Sequence, residues 1–474
     1  MADDVVIVGG GPAGLAAAYE CVSHGASVTV VERLDQVGGL SRTIPFKNSR
    51  FDVGPHRFFT KNREVKDLFH RVLGEEVVSV RRKTRIVYDN NYFDYPLTPL
   101  NAMTGIGLRS GLAIAGSYAA ARVRGGVAPR PAESFEDWVV QRFGRALYGK
   151  FFKNYTEKVW GIPCHRIGAD WASQRIRGLS LTAAIRDALF KSGRSSIKTL
   201  IDEFSYPRLG AGQLYEKLSA LIVAGGGRVQ TGLTARRLRR EGARLRSIVV
   251  ENGHGRALEL EGRHFLTSAP LTDVIGMIDP PPPEEVLQAC RSLRYRDHIG
   301  VNILVSGAVF PDNWIYVHSE DVALARVTSY RNFSREMAGN SDVSPITVEY
   351  FAFPGDDLWS LNDVSLIEMA MRELRQLRLL TRDRLIDAFV VRSEKAYPVM
   401  EIGHQAHVAT IKAWLDRLEN LLPIGRAGMF KYNNQDHAIA TGLLSARRAL
   451  GLGRFDPWLV NIDGEYHEAT GEPG

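Results

Sequence analysis

Two kinds of hydrophobic pattern divide the chain. The run "DVVIVGG" at the start is apolar without alternation and ends in glycine, which predicts a strand buried on both faces of a parallel sheet. "PAGLAAAYECVSHG" follows with helical spacing and stops at Gly25, and "SVTVVER" is a second unbroken run. Strand, tight glycine turn, helix and strand make a βαβ unit. From about residue 61 to 200 the spacing turns helical, as in "NREVKDLFHRVLG" and "SFEDWVVQRFGRALYGKFFKNYTEKVW". The stretch from Gly226 to Pro270 alternates in period two. Its breakers, Glu241-Gly242 and Asn252-Gly253-His254-Gly255, predict a meander of strands. "DPPPPEE", Asp279 to Glu285, is a stiff connector. Residues 292–395 mix strand-like runs with one helix, and "DHAIATGLLSARRAL" predicts an amphipathic helix near the C-terminus. "GLAIAGSYAAARV", Gly111 to Val123, lies between Arg109 and Arg122 and is too short to span a bilayer. It reads as a core helix, with peripheral membrane contact as the alternative.

These patterns predict a dinucleotide domain assembled from residues 1–75, 200–275 and 396–460. A helical insertion over 76–199, a substrate-binding sheet domain over 276–395 and a tail over 461–474 complete the chain. With 45% hydrophobic and 24% charged residues, the 474-residue chain has the composition of an ordered globular protein. Cys21, Cys164 and Cys290 are far apart and form no C-x-x-C pair, so buried thiols in a reducing compartment are expected, and no metal site. "MADDVVIVGGG" carries no signal-peptide pattern, and a cytoplasmic location is expected. The net charge of +7 is spread out; it fits a solvated surface or a cleft that attracts an anionic substrate. No nucleic-acid motif accompanies it, so no nucleic-acid partner is expected.

The first candidate chemistry is G-x-G-x-x-G at Gly9, Gly11 and Gly14. Gly9 allows the turn, Gly11 lets backbone N–H groups approach a pyrophosphate, and Gly14 permits close helix–strand packing. Pro12 and Ala13 open the helix whose N-terminal dipole favours the anion. Glu32 ends the next strand, where a carboxylate accepts hydrogen bonds from a ribose diol. Arg33 could instead meet a 2′-phosphate, which would indicate NADP, but Glu32 would repel that group. A second pair, Gly38-Gly39, followed by Leu40 and Ser41, suits a ligand that continues past the adenosine. Phe151, Phe152, Tyr155 and Trp160 fit either a helical core or a base-stacking platform. His56, after Gly54-Pro55, fits either a satisfied core histidine or a group beside a cofactor ring.

"VVIVGGGPAGLAAA…VVERLDQVGGLSRT" resembles the FAD-binding start of the flavoproteins that include amine oxidases, protoporphyrinogen oxidase and UDP-galactopyranose mutase. "DVGPHRFFTKNREV" and "FFKNYTEKVWG" are similar to mutase segments at the flavin and at a stacked uridine. The resemblance implies an α/β fold: a Rossmann-like FAD-binding domain with an inserted substrate domain of helices plus mixed sheet. It implies phosphate-reaching arginines at Arg175 and Arg326, a substrate tyrosine at Tyr397, and substrate stacking at Tyr155 and Trp160. "IGRAGMFKYNNQDHAIATG" looks like the closing FAD segment, with Gly425, Arg426, Asn434, Asp436, His437 and Ala438 at the cofactor. A helix N-terminus there would stabilise negative charge on a reduced flavin. Phe59, Phe353 and Tyr316 depart from the mutase pattern and remove hydrogen-bonding groups from the sugar pocket. "EFSYPRLGAGQLYEKL" resembles the oxidoreductase members more than the mutases.

The reading is therefore an FAD-dependent oxidoreductase acting on a sugar or nucleotide sugar, with NAD(P)H or O2 as redox partner. His56, Tyr397 and Glu401 are the candidates for proton chemistry. A non-redox sugar-ring mutase, an amine or porphyrin-type oxidase, and a flavin-binding module without turnover are the alternatives.

Overall fold

The computed structural model describes residues 2–95, 107–127, 131–175, 203–340, 342–380 and 384–461. Strand β1 (Asp3–Val8), helix α1 (Pro12–Ser23) and strand β2 (Val28–Val31) form the expected βαβ unit. The parallel sheet runs in the order Leu421–Pro423, Ala257–Thr267, β1, β2, Arg228–Gln230. Val5, Val6 and Ile7 are buried on both faces, which is why this segment shows no alternation. The strand Ala257–Thr267 is long enough to serve two purposes. Its second half lies in the parallel sheet, and its first half pairs with the antiparallel meander Leu233–Glu241 and Arg244–Asn252.

Helix α1, the helix Gly212–Ala224 and the closing helix Gln435–Ala449 share one face of this sheet. A methyl group on Gly442 would collide with the carbonyl of Ala13, so α1 and the closing helix cross in direct backbone contact. That crossing brings two helix N-termini to the same edge of the sheet.

A seven-stranded mixed sheet forms the second layer, in the order Leu385–Pro398, Tyr295–Ser306, Val343–Ala352, Arg326–Ser329, Trp314–Val317, Thr84–Tyr88, Asn91–Asp94. The helix Asp363–Gln376 packs on one face. On the strand Trp314–Val317, Ile315 and Val317 join that core, and Trp314, Tyr316 and the following His318 face a cavity.

The boundaries differ from those read in the sequence. Val77–Arg81 pairs with Glu203–Pro207, and Thr84–Tyr88 and Asn91–Asp94 form a hairpin of the second sheet, so the insertion expected to be helical over 76–199 begins with strands. Asp89 and Asn90 both take positive φ, at 51° and 58°, which matches the twist of a two-residue hairpin turn. The helix Glu284–Arg291 buries Val286 and Ala289 against the first domain, so that domain reaches past residue 275. Residues 396–398 belong to the second sheet. The helix Leu108–Val127 is a core helix on one side only: Ile114 joins the core, but Leu112 and Val123 are 63% and 66% exposed. Of the stretch with helical spacing from about residue 61 to 200, residues 176–200 lie outside the described residues. Among the described residues no helix is long and apolar enough to cross a membrane.

Candidate active site

One cavity of about 1060 Å³ runs from the glycine turn at the first sheet to the inner face of the second. At the first end the walls are mostly backbone. A methyl on Gly14 would collide with the Gly9 carbonyl, and one on Gly9, where φ is +101°, would collide with Ser268. Helix α1 starts at Gly11 without a side-chain cap and with Pro12 in its first turn, so its leading N–H groups have no internal acceptor. Gly11, Pro12 and Ala13 line the cavity at that point.

Glu32 is buried, accepting from the Gly10 N–H at 2.7 Å and the Leu34 N–H at 3.0 Å. Each carboxylate oxygen keeps a lone pair for a ligand diol. Gly38 donates its N–H to the Gly10 carbonyl at 2.8 Å, and a methyl on Gly39 would stand 3.2 Å from the Gly11 Cα. The second glycine pair thus braces the first turn. Gly38 acts through that backbone bond, and Gly39, Leu40 and Ser41 reach the cavity. Arg42 also lines it, donating to the Gly39 carbonyl at 2.8 Å. Burial lowers the Arg42 pKa against the pull of Glu32. Arg33 lines the cavity and pairs with Glu394, both about half exposed, a pair of small energetic weight.

At the far end, side chains converge from distant segments. Gly54, with φ of +87°, turns the chain so tightly that a methyl there would stand 3.4 Å from Glu349 Oε2. Pro55 and His56 follow in the cavity wall. His56 Nδ1 lies 3.0 Å from the Gly54 carbonyl, which can only accept, so Nδ1 carries the proton. Burial, then the charges of Arg426 and Arg326, push the imidazole down to about 3. The ring is neutral, and Nε2 is its acceptor.

Arg326 lines the cavity but is already paired. Its Nε donates to Glu349 Oε1 at 2.9 Å, and its Nη2 donates to Oε2. Burial opposes ionisation of Glu349, but Arg326 and His298 prevail and hold the carboxyl down at about 2. The expected free phosphate clamp is therefore a charge-balanced pair, since a fully buried carboxylate demands a cation. Arg175 ends the helix Ala169–Arg175, and its side chain lies outside the description.

Tyr397 and Tyr432 stack with centroids 5.8 Å apart, and the Arg426 guanidinium sits 5.0 and 5.1 Å from their rings. Gly425, Arg426, Asn434, Asp436 and Ala438 line the cavity, but His437 does not. Its Nδ1 accepts from the Asn434 N–H at 3.1 Å, which makes it a helix-capping residue. Tyr155 stacks on His318 at 4.6 Å and 13°, so one face of the expected base platform is taken. Trp160 is buried behind the wall, 5.8 Å from Tyr432, and does not line the cavity. Glu401 lies outside the cavity, accepting from Arg166 Nε at 2.8 Å with Arg294 at 3.6 Å. It is a structural ion-pair residue and no candidate for proton transfer.

Residues 12–421 match the family model of flavin containing amine oxidoreductases. The chain belongs to this family. It is 37% identical over 109 residues to L-amino-acid oxidase of Crotalus adamanteus, covering 20% of this chain and 21% of that one. The curated relative is thus matched over about a fifth of its length. A crystal structure of reduced UDP-galactopyranose mutase superposes with a TM-score of 0.83 at 20% identity, covering 96% of this chain and 95% of that one. A putative protoporphyrinogen oxidase from an Exiguobacterium species superposes with a TM-score of 0.71 at 16% identity, covering 95% and 99%. The fold is that of a Rossmann-like FAD domain with an inserted domain.

FAD is the cofactor of this flavin-containing amine oxidoreductase family member, and the first end of the cavity fits it. The uncapped α1 N-terminus, the glycine cradle and Arg42 would hold a pyrophosphate, and Glu32 a ribose. Gly425 to Asp436 would flank the ring end. Arg42, Tyr432, Trp314 and His318 were not anticipated. Arg42 follows the second glycine pair directly, and Trp314, Tyr316 and His318 carry a period-two signal in "WIYVH". Buried polar atoms on cavity-lining residues without a protein partner include Trp171 Nε1, Trp314 Nε1, His318 Nδ1 and Ser393 Oγ.

Proposed function

We propose that this protein is an FAD-dependent oxidoreductase that oxidises a hydroxyl-bearing ring, a sugar or nucleotide sugar. The observation that carries the choice of redox over mutase chemistry is the Arg326–Glu349 pair. It leaves that position without a spare positive charge for a departing diphosphate. The ring substrate is supported by the aromatic wall of Tyr95, Tyr155, Tyr316 and Trp314. FAD, when bound, supplies the hydride acceptor. His56 Nε2 accepts the hydrogen bond of the reacting hydroxyl, orients the C–H bond beside it, and takes the hydroxyl proton as the hydride leaves and the carbonyl forms. Tyr397, Tyr432 and Arg426 form a rigid wall that excludes water from the same space.

An anaerobic mixing experiment tests this reading. Substrate-driven bleaching of the visible flavin absorbance by a nucleotide sugar or free sugar is the expected result. Turnover only after dithionite reduction, without net flavin oxidation or reduction, would establish the mutase instead. A second reading, an amine oxidase, is favoured by the stacked Tyr397–Tyr432 pair. Bleaching by primary amines and by no sugar would select it.

A further inference from the structure

The helix Leu108–Val127 is apolar on both sides, yet only one side is packed. Gly111 and Ile114 are buried, and Ser117, Tyr118 and Ala121 half-buried, against the helices Phe135–Phe143 and Arg145–Leu147. Ser117 Oγ accepts there from the Ala146 N–H at 3.1 Å. The opposite face carries Leu112, Ala115, Gly116, Ala119, Ala120 and Val123, all exposed. Water gains nothing from such a face, and a soluble helix of this kind ordinarily turns polar residues outward.

Along the helix itself the charge has one sign. Arg109 stands at one end of the helix, Arg122 and Arg124 at the other, all exposed. Between Asp94 and Glu133 the sequence contains no carboxylate side chain, although acids and bases are nearly balanced over the whole chain, at 53 to 60. A second protein copy would present these same arginines to one another. An anionic lipid surface meets both demands, taking the apolar side chains below its headgroups and the guanidiniums at its phosphates.

We infer that the face of Leu108–Val127 is a membrane-docking surface that lies flat on anionic lipid. It does not depend on the substrate assigned above. Its position gives it a consequence for the enzyme, because it packs on the helix whose first residue, Phe135, lines the cavity.

Co-sedimentation of the FAD-loaded protein with vesicles tests the inference. Vesicles of phosphatidylcholine with phosphatidylglycerol should pellet the protein, and vesicles of phosphatidylcholine alone should pellet far less. Leu112→Glu with Val123→Glu should weaken binding by about tenfold or more, and so should Arg122→Glu with Arg124→Glu, with flavin content unchanged. The arginine pair is exposed at the helix end, so it keeps the test valid if the apolar pair fails to fold. Protein left in the supernatant with anionic vesicles would overturn the inference. So would variants that bind like the wild type. A dimer in solution that the Leu112→Glu, Val123→Glu variant converts to monomer, without vesicle binding by the wild type, would assign the face to a second copy.

Discussion

The two ends of the cavity are built in opposite ways. The end that would hold the adenosine and pyrophosphate is nearly contiguous chain, Gly9 to Arg42, and its lining is backbone N–H groups, glycine Cα atoms, the Glu32 carboxylate and the Arg42 guanidinium. The far end draws His56, Tyr155, His318, Arg326, Tyr397 and Arg426 from separate segments, and its lining is side chains. The first end tolerates almost no added atoms. The second can exchange side chains while the fold persists, which is how one fold hosts different chemistries.

The sharpest test of this contrast is Gly14→Val. The new side chain must occupy the space of the Gly9 carbonyl, so flavin should be lost altogether, as read by absorbance of the purified protein. Glu349→Gln comes next. It leaves the Arg326 charge buried without compensation and should cost about 3–5 kcal/mol in denaturant unfolding. The double replacement Arg326→Met, Glu349→Met should recover most of that loss and leave the flavin content normal. His56→Phe should keep FAD but lower kcat by about a hundredfold, the usual worth of one positioned hydrogen-bonding or proton-handling group. A wild-type kcat would remove His56 from the reaction.

The smallest effect concerns acid. His56 and His318 are each pushed down to about 3 in the folded protein, chiefly by burial, from an ordinary value of 6.5. Between those values the unfolded chain binds more protons than the folded one. Stability is therefore full above the ordinary value and falls as pH falls toward the folded value. Each histidine contributes at most about 1.4 kcal/mol per pH unit. His318→Phe keeps the stack on Tyr155 and removes one titrating group, so its acid unfolding limb should be shallower. An unchanged limb would mean that His318 is protonated in the folded state.

The same contrast governs what could be read from the sequence. The βαβ unit, Glu32 and the second glycine pair were legible because local chemistry dictates them: glycine where φ is positive or a methyl would collide, an apolar run where both faces are buried. The hairpin Thr84–Asp94 was also written locally, in its alternation and the Asp89-Asn90 turn, but the longer helical stretches around it obscured the signal. Arg326 lies in the cavity as expected, but its partner Glu349 is 23 residues away on a neighbouring strand, and only strand register reveals the pairing. Glu401 and His437 were misjudged for the same reason. A carboxylate or imidazole near a site motif has no role until its neighbours are known, and theirs are Arg166 and the Asn434 N–H.

The crossing of α1 and the closing helix at Ala13 and Gly442 also ties together two segments that lie far apart in the sequence. The first turn of α1 is made long before the glycine that seats against it. Until Gly425 to Gly442 exist, the cavity has no far wall on that side. A chain that lacks this closing segment therefore keeps the glycine cradle but loses the wall that faces it.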